Sequence, residues 1–315
     1  MAPQGFSQAI FLAVVAGLGT ALLSGFLTPG TMQAALLSLI APTPLLIVGF
    51  GWHPYAGALA GLVSALLIQF VAGTPPALAI ATLFSLPAFG LTFFAEARFS
   101  QLSGRPERDG IEVGRLVLTL IAYLAMIFVL AGLFIEPDYA ALQQRIRRSV
   151  EVVVGMIGVP GGAGALPPAD MARILDLLVA IIMPLSALIT LLTLLASAAI
   201  GLLVADRSRR LAFVKPDLRR FRLPGGTLIL LGMALLASLQ DGYVGMLGSI
   251  MTLGLLFALI LQGLAVVHVR TIGMPSRTLV LSAIWAALIV FGLPALIFLV
   301  VGMIDHVTDF RRGRL

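Results

Sequence analysis

The chain contains no cysteine, which excludes disulfide scaffolds, thiolate nucleophiles, Cys-attached haem and iron–sulfur clusters. Charge is scarce: Asp, Glu, Lys and Arg make up 11 % of 315 residues, against about 25 % in soluble domains. Lys215 is the single lysine among 20 basic residues. Histidine is limited to His53, His268 and His306, all near the ends of apolar runs. The H-E-x-x-H, G-x-S-x-G and P-loop patterns are missing, so no enzyme and no cofactor is expected. What is present is apolar: 60 % of the residues are hydrophobic and the mean hydropathy is +1.09. So few charges cannot cover a soluble fold of this size, so the chain reads as an all-α, polytopic transmembrane helical bundle.

A helix crosses a bilayer with about 20 apolar residues. The first run, 10–27, is closed by Thr28-Pro29-Gly30. The second, 34–50, is interrupted by Pro42 and Pro44, and the third, 55–71, follows the turn Gly51-Trp52-His53-Pro54. The fourth, 76–94, contains Pro87; a polar loop, 96–115, carries four Arg and leads to the fifth run, 116–135. In 136–154, Tyr139, Leu142, Ile146, Val150 and Val153 form one helical stripe away from Arg145, Arg147 and Arg148, which predicts an amphipathic helix lying in the interface. A Gly/Pro-rich loop, 155–168, precedes a long sixth run, 171–204, with Pro184 as the expected kink. Beyond a basic loop, 206–222, come runs 227–239 and 243–269, turning at Gln240-Asp241-Gly242, and a last stretch, 278–304, containing Gly292-Leu293-Pro294. Together these predict about 8–10 membrane-spanning segments plus the interfacial helix, in a single integral domain over 1–315. Its parts are a four-helix front (1–95), the interfacial helix (136–154), a basic cytoplasmic loop (205–223) and C-terminal helices (227–310).

Orientation follows from the Lys and Arg count of each loop. The loop after the sixth run carries Arg207, Arg209, Arg210, Lys215, Arg219, Arg220 and Arg222; Arg270 and Arg277 flank the turn after the eighth. Alternation from a cytoplasmic N-terminus puts these and the loop after the fourth run in the cytoplasm of a bacterial inner membrane. No basic residue precedes the run 9–27, so an uncleaved first helix is expected rather than a signal peptide. The same topology is taken to put His53 outside and His268 inside, which argues against a metal site. Arg311, Arg312 and Arg314 favour a cytoplasmic C-terminus and hence two crossings by 278–304; one kinked helix with its tail outside stays open.

Small residues at intervals of four, Ala13-Gly17-Ala21-Gly25 in the first run and Gly57-Gly61-Ala65 in the third, permit close helix approach. They serve packing within the chain or offer a face to another membrane protein. Gln69, Asp176, Gln240, Asp241 and Gln262 are the polar residues inside or at the rims of apolar runs. Asp176 is the leading candidate for a ligand or proton site, with an interfacial pair to Arg173 as the plainer alternative. Asp305 and Asp309 share a helix face and read as a helix end meeting water, with half of a metal or proton site as the alternative. Pro42 and Pro44, with Trp52, His53 and Tyr55 at the outer mouth, suggest a small-molecule or lipid pocket. The basic loop suits anionic lipid headgroups, and with only Phe213 and Phe221 interleaved, nucleic acid is not expected.

The stretch from Ala41-Pro42-Thr43-Pro44 to Trp52 and on through Gly57 to Gly61 resembles the front of the YybS-like bacterial membrane proteins, catalogued as domain of unknown function 2232. Leu261-Gln262-Gly263 to His268, and Gly302 to Asp305 and on to Asp309, Arg311 and Arg312, resemble that family's later part and ending. The front half is also similar to the substrate-binding S components of energy-coupling-factor transporters, in which a first-helix ladder, here Ala13, Gly17 and Ala21, contacts the coupling protein. The resemblance implies a transport-associated subunit binding a small molecule or lipid, with an ATPase and a coupling protein as partners. The alternative is a non-transporting membrane scaffold or lipid-associated protein.

Overall fold

A computed structural model describes residues 3–24, 32–101, 106–156 and 168–308. The turn Thr28-Pro29-Gly30, Gly25, most of the Gly/Pro-rich loop, Asp309 and the arginines of the tail lie outside the described residues. Every regular element described is a helix: α1 (Pro3–Leu23), α2 (Met32–Ser38), α3 (Thr43–Gly51), α4 (Pro54–Ala72), α5 (Thr74–Ile80), α6 (Leu86–Phe99), α7 (Pro106–Ile135), α8 (Tyr139–Met156), α9 (Pro168–Arg207), α10 (Thr227–Ser238), α11 (Gly242–Arg270), α12 (Arg277–Phe291) and α13 (Ala295–Thr308). Six segments are long and apolar enough to cross a bilayer: Gln33–Gly51, Pro54–Ala72, Thr74–Phe99, Gly110–Ile135, Ala169–Arg207 and Gly242–Arg270. Ser7–Leu23, Thr227–Ser238, Arg277–Leu288 and Ala295–Thr308 are apolar but shorter.

Prolines set most of the breaks. Pro42 ends the turn between α2 and α3, and Pro54 opens α4 at a position whose N–H would have no helical partner. A π-helical turn, Ala81–Ser85, joins α5 to α6 immediately before Pro87, whose missing N–H cannot close the normal α ladder. One boundary differs from expectation. The polar stretch 96–115 is mostly helix: α6 runs on to Phe99 and α7 begins at Pro106, leaving a short link. Helix α9 continues through Pro184. The last stretch does break in two, at Gly292 with φ +64°.

The chain divides into two compact units. One comprises 1–121, 190–227 and 255–315. It holds α1 to α6 with the first half of α7, the end of α9, the basic loop, the later part of α11, α12 and α13. Its helices meet where side chains are smallest. Gly17 of α1 lies against the Ala60 carbonyl and Val63 of α4, Gly57 against Leu45 and Gly49 of α3, and Gly61 against Ser85. Gly201 of α9 lies against Leu46, and Thr43 Oγ1 donates to Ser197 Oγ at 2.9 Å. Backbone approach of this kind drives helix association in lipid, where the hydrophobic effect contributes nothing.

The other unit comprises 122–189 and 228–254. Ala125 and Val129 of α7, Ala187 of α9, and Met246 and Ile250 of α11 form its core. Tyr139 of α8 meets Tyr243 edge-on at 5.2 Å, and the Tyr243 hydroxyl donates to the Glu136 carbonyl. Leu142 and Val150 of α8 are buried and Tyr139 and Ile146 half-buried while Arg145 and Arg148 are exposed; Val153, expected on the same stripe, is exposed.

Candidate functional site

The basic loop is seated on named residues of its own unit. Helix α9 ends with Arg209 in the left-handed region, φ +53°, and the Arg210 N–H donating back to the Ala205 carbonyl at 2.9 Å. This turn carries the Arg210 guanidinium over the Trp52 ring, 4.4 Å from its centroid. Phe213 then plugs between rings, 6.4 Å from Phe50 and 5.5 Å from Phe99. Phe221 and Leu223 are buried, while Arg207, Arg209, Lys215 and Arg219 face outward. Two acids of the loop answer part of the charge: Lys215 pairs with Asp206 at 3.2 Å and Arg219 with Asp217 at 3.8 Å.

Glycines on α7 admit the loop's backbone. A Cβ on Gly110 would collide with the Arg220 carbonyl, and one on Gly114 with the Arg222 carbonyl. The Arg222 N–H donates to the Gly110 carbonyl at 3.1 Å. Between these glycines, Glu112 takes Arg115 at 2.5 Å and Arg98 at 3.5 Å. The loop's far end is tied to α11, where the Leu223 N–H donates to Gln262 Oε1 at 3.1 Å. Gln262 Nε2 in turn donates to Asp305 Oδ2 of α13 at 2.7 Å. Gln262 is 0 % exposed and Asp305 1 %. Directly beside this pair, Gly263 and Gly302 let α11 and α13 touch backbone to backbone. His306 Nε2 lies 3.4 Å from the Gly225 carbonyl.

The arrangement separates residues that the sequence grouped. Pro42 caps α3 and Pro44 stands in its first turn, Pro42 buried and Pro44 beside Gly19. Most of α3 stands between them and the aromatic turn, about 12 Å along the axis from Pro44 to Trp52. Trp52 sits under Arg210; His53 caps α4 through its Nδ1, which accepts from the Tyr55 N–H at 3.3 Å. Tyr55 stacks on His53 and continues into Phe89 and Phe93, with most of its surface exposed. Trp52 and the basic loop therefore share one end of the unit, which corrects the placement of the aromatic turn at the opposite, outer mouth.

Asp176 belongs to the other unit. Its side chain is 63 % exposed and pairs with Arg147 of α8 at 2.7 Å rather than with Arg173, which lies nearest Asp170. Of the five intramembrane polar candidates, Gln262 is the buried one; Gln69, Asp176, Gln240 and Asp241 are exposed. Asp305 also differs from expectation, buried rather than meeting water. The small-residue ladder is likewise spent inside the chain. Ala13 and Ala21 are fully buried, Gly17 is covered by α4, and Gly57 and Gly61 are covered by α3 and Ser85.

The sequence profile of a family described as "predicted membrane protein (DUF2232)" matches residues 20–306. No curated protein matches the chain. No solved structure matches it.

Proposed function

This chain belongs to the family of predicted membrane proteins DUF2232, and from that premise we propose that it is a lipid-associated protein of the bacterial inner membrane. Its N-terminus and basic loop face the cytoplasm, and the loop forms a fixed cationic platform for anionic headgroups. One observation carries this: the loop's arginines and lysine stand on a backbone clamped by Gly110, Gly114 and Gln262. Positive-inside retention alone asks only for charge, not for a seat. A fixed seat avoids most of the ordering entropy that a loose basic tail loses on meeting lipid. Each cation near an anionic surface contributes about 1 kcal/mol. A solute-binding role like that of an S component draws less support, because the proline bend and the aromatic turn are apart and Arg210 covers Trp52.

The test is reconstitution in nanodiscs of mixed phosphatidylglycerol and phosphatidylcholine, followed by analysis of the lipid retained around the protein. The natural chain is expected to enrich phosphatidylglycerol several-fold. A variant carrying Arg207→Gln, Arg209→Gln and Arg219→Gln is expected to lose the enrichment while folding normally. Equal lipid shells for both proteins would end this proposal.

A further inference from the structure

We propose that α12 carries a separate binding site for one anionic phospholipid, its phosphate at Arg277 and its acyl chain along Trp285. A shallow, open groove along α12 is lined by Arg277, Thr278, Leu281, Ser282, Trp285 and Ala286. These positions recur at one helical turn and so share one face of α12. The face is graded from a cation, through two hydroxyls, to a ring and a methyl.

Three details point to a ligand rather than to plain lipid contact. The Arg277 Nε is shielded from solvent and has no hydrogen-bond partner among the described residues. Thr278 and Ser282 are exposed, and among the described residues neither hydroxyl has a hydrogen-bond partner. Several hydroxyls of α11 and α13 and the turn after α11 are instead satisfied by the preceding turn: Ser249 donates to the Gly245 carbonyl, Thr271 to Val267 and Thr308 to Ile304. At the far end of the groove Trp285 is fixed edge-on against His268, ring centroids 6.5 Å apart.

Charge order selects the occupant. A phosphate can accept from Arg277, Thr278 and Ser282 together. Trp285 lies two turns further on, about 12 Å away, where an acyl chain has left the glycerol. A free phosphate would leave Leu281, Trp285 and Ala286 uncovered, and a zwitterionic headgroup would set a second cation near Arg277.

Native mass spectrometry of the full chain, released from detergent with phosphatidylglycerol added, tests the site. The natural chain is expected to keep one phosphatidylglycerol against excess phosphatidylcholine and against inorganic phosphate. Arg277→Gln should weaken retention about tenfold. Ser282→Leu, which fills the groove but keeps the charge, should weaken it similarly and guards against misfolding of the first variant. The triple loop variant, Arg207→Gln, Arg209→Gln and Arg219→Gln, should keep this one lipid, so this site and the platform can fail independently. The proposal is overturned if both groove variants hold the lipid unchanged, if inorganic phosphate displaces it, or if only the loop variant loses it.

Discussion

Gln262 and Asp305 meet at 2.7 Å in a place that water does not reach, and Gln262 simultaneously holds the backbone N–H of Leu223. One amide thus joins α11, α13 and the end of the basic loop. Replacing it with leucine takes one hydrogen-bond partner from the buried carboxyl and one from the buried Leu223 N–H. Gln262→Leu is expected to destabilise the protein by about 2–4 kcal/mol. The double variant Gln262→Leu/Asp305→Leu should recover much of that loss. Thermal unfolding of the four proteins of the cycle, in one detergent, measures the coupling.

Gly110 and Gly114 are where α7 admits the loop. An alanine at either position must displace the Arg220 or Arg222 carbonyl, a clash with backbone that costs about 1–3 kcal/mol. The readout is trypsin cleavage after the loop's arginines. Gly110→Ala should accelerate it several-fold, whereas Gly232→Ala, where a Cβ meets nothing, should leave it unchanged.

Arg209 holds a left-handed backbone that glycine adopts without penalty. Arg209→Gly is therefore expected to raise stability by about 1 kcal/mol although it removes a charge. A fall in melting temperature would show that the arginine side chain outweighs the strain.

Arg210 over Trp52 gives an optical signal, because the chain has two tryptophans. In a Trp285→Phe background only Trp52 emits. Arg210→Gln should then shift its emission and cost about 0.5–2 kcal/mol. An unchanged spectrum would mean that the guanidinium does not rest on the ring in solution.

Much of this architecture is written locally. Apolar runs gave the helices, Pro42, Pro54 and Gly292 gave the breaks, and the alternation in 136–154 gave α8. The two late motifs, one around Gln262 and Gly263 and the other around Gly302 and Asp305, were visible as separate strings. That they face each other is a tertiary fact that neither string contains. Asp305 stands among polar neighbours, His306 and Asp309, which resemble a helix end in water. Its burial is decided by α11, far away in the chain. Asp176 presents the converse: an acid next to an apolar run whose partner, Arg147, comes from the preceding helix and holds it at the surface. Gly110 and Gly114 gave no signal at all, since a notch is legible only once the backbone that enters it is known.

The loop leaves the ribosome well before the two motifs that hold its far end. Gly110 and Gly114 are already in place when 206–222 is made, but Gln262 and then Asp305 follow only with the last helices. A nascent chain arrested before α13 would therefore expose a cationic segment lacking its final clamp, to proteases and chaperones alike. Arrival of α13 is the step that completes the clamp on this end of the unit.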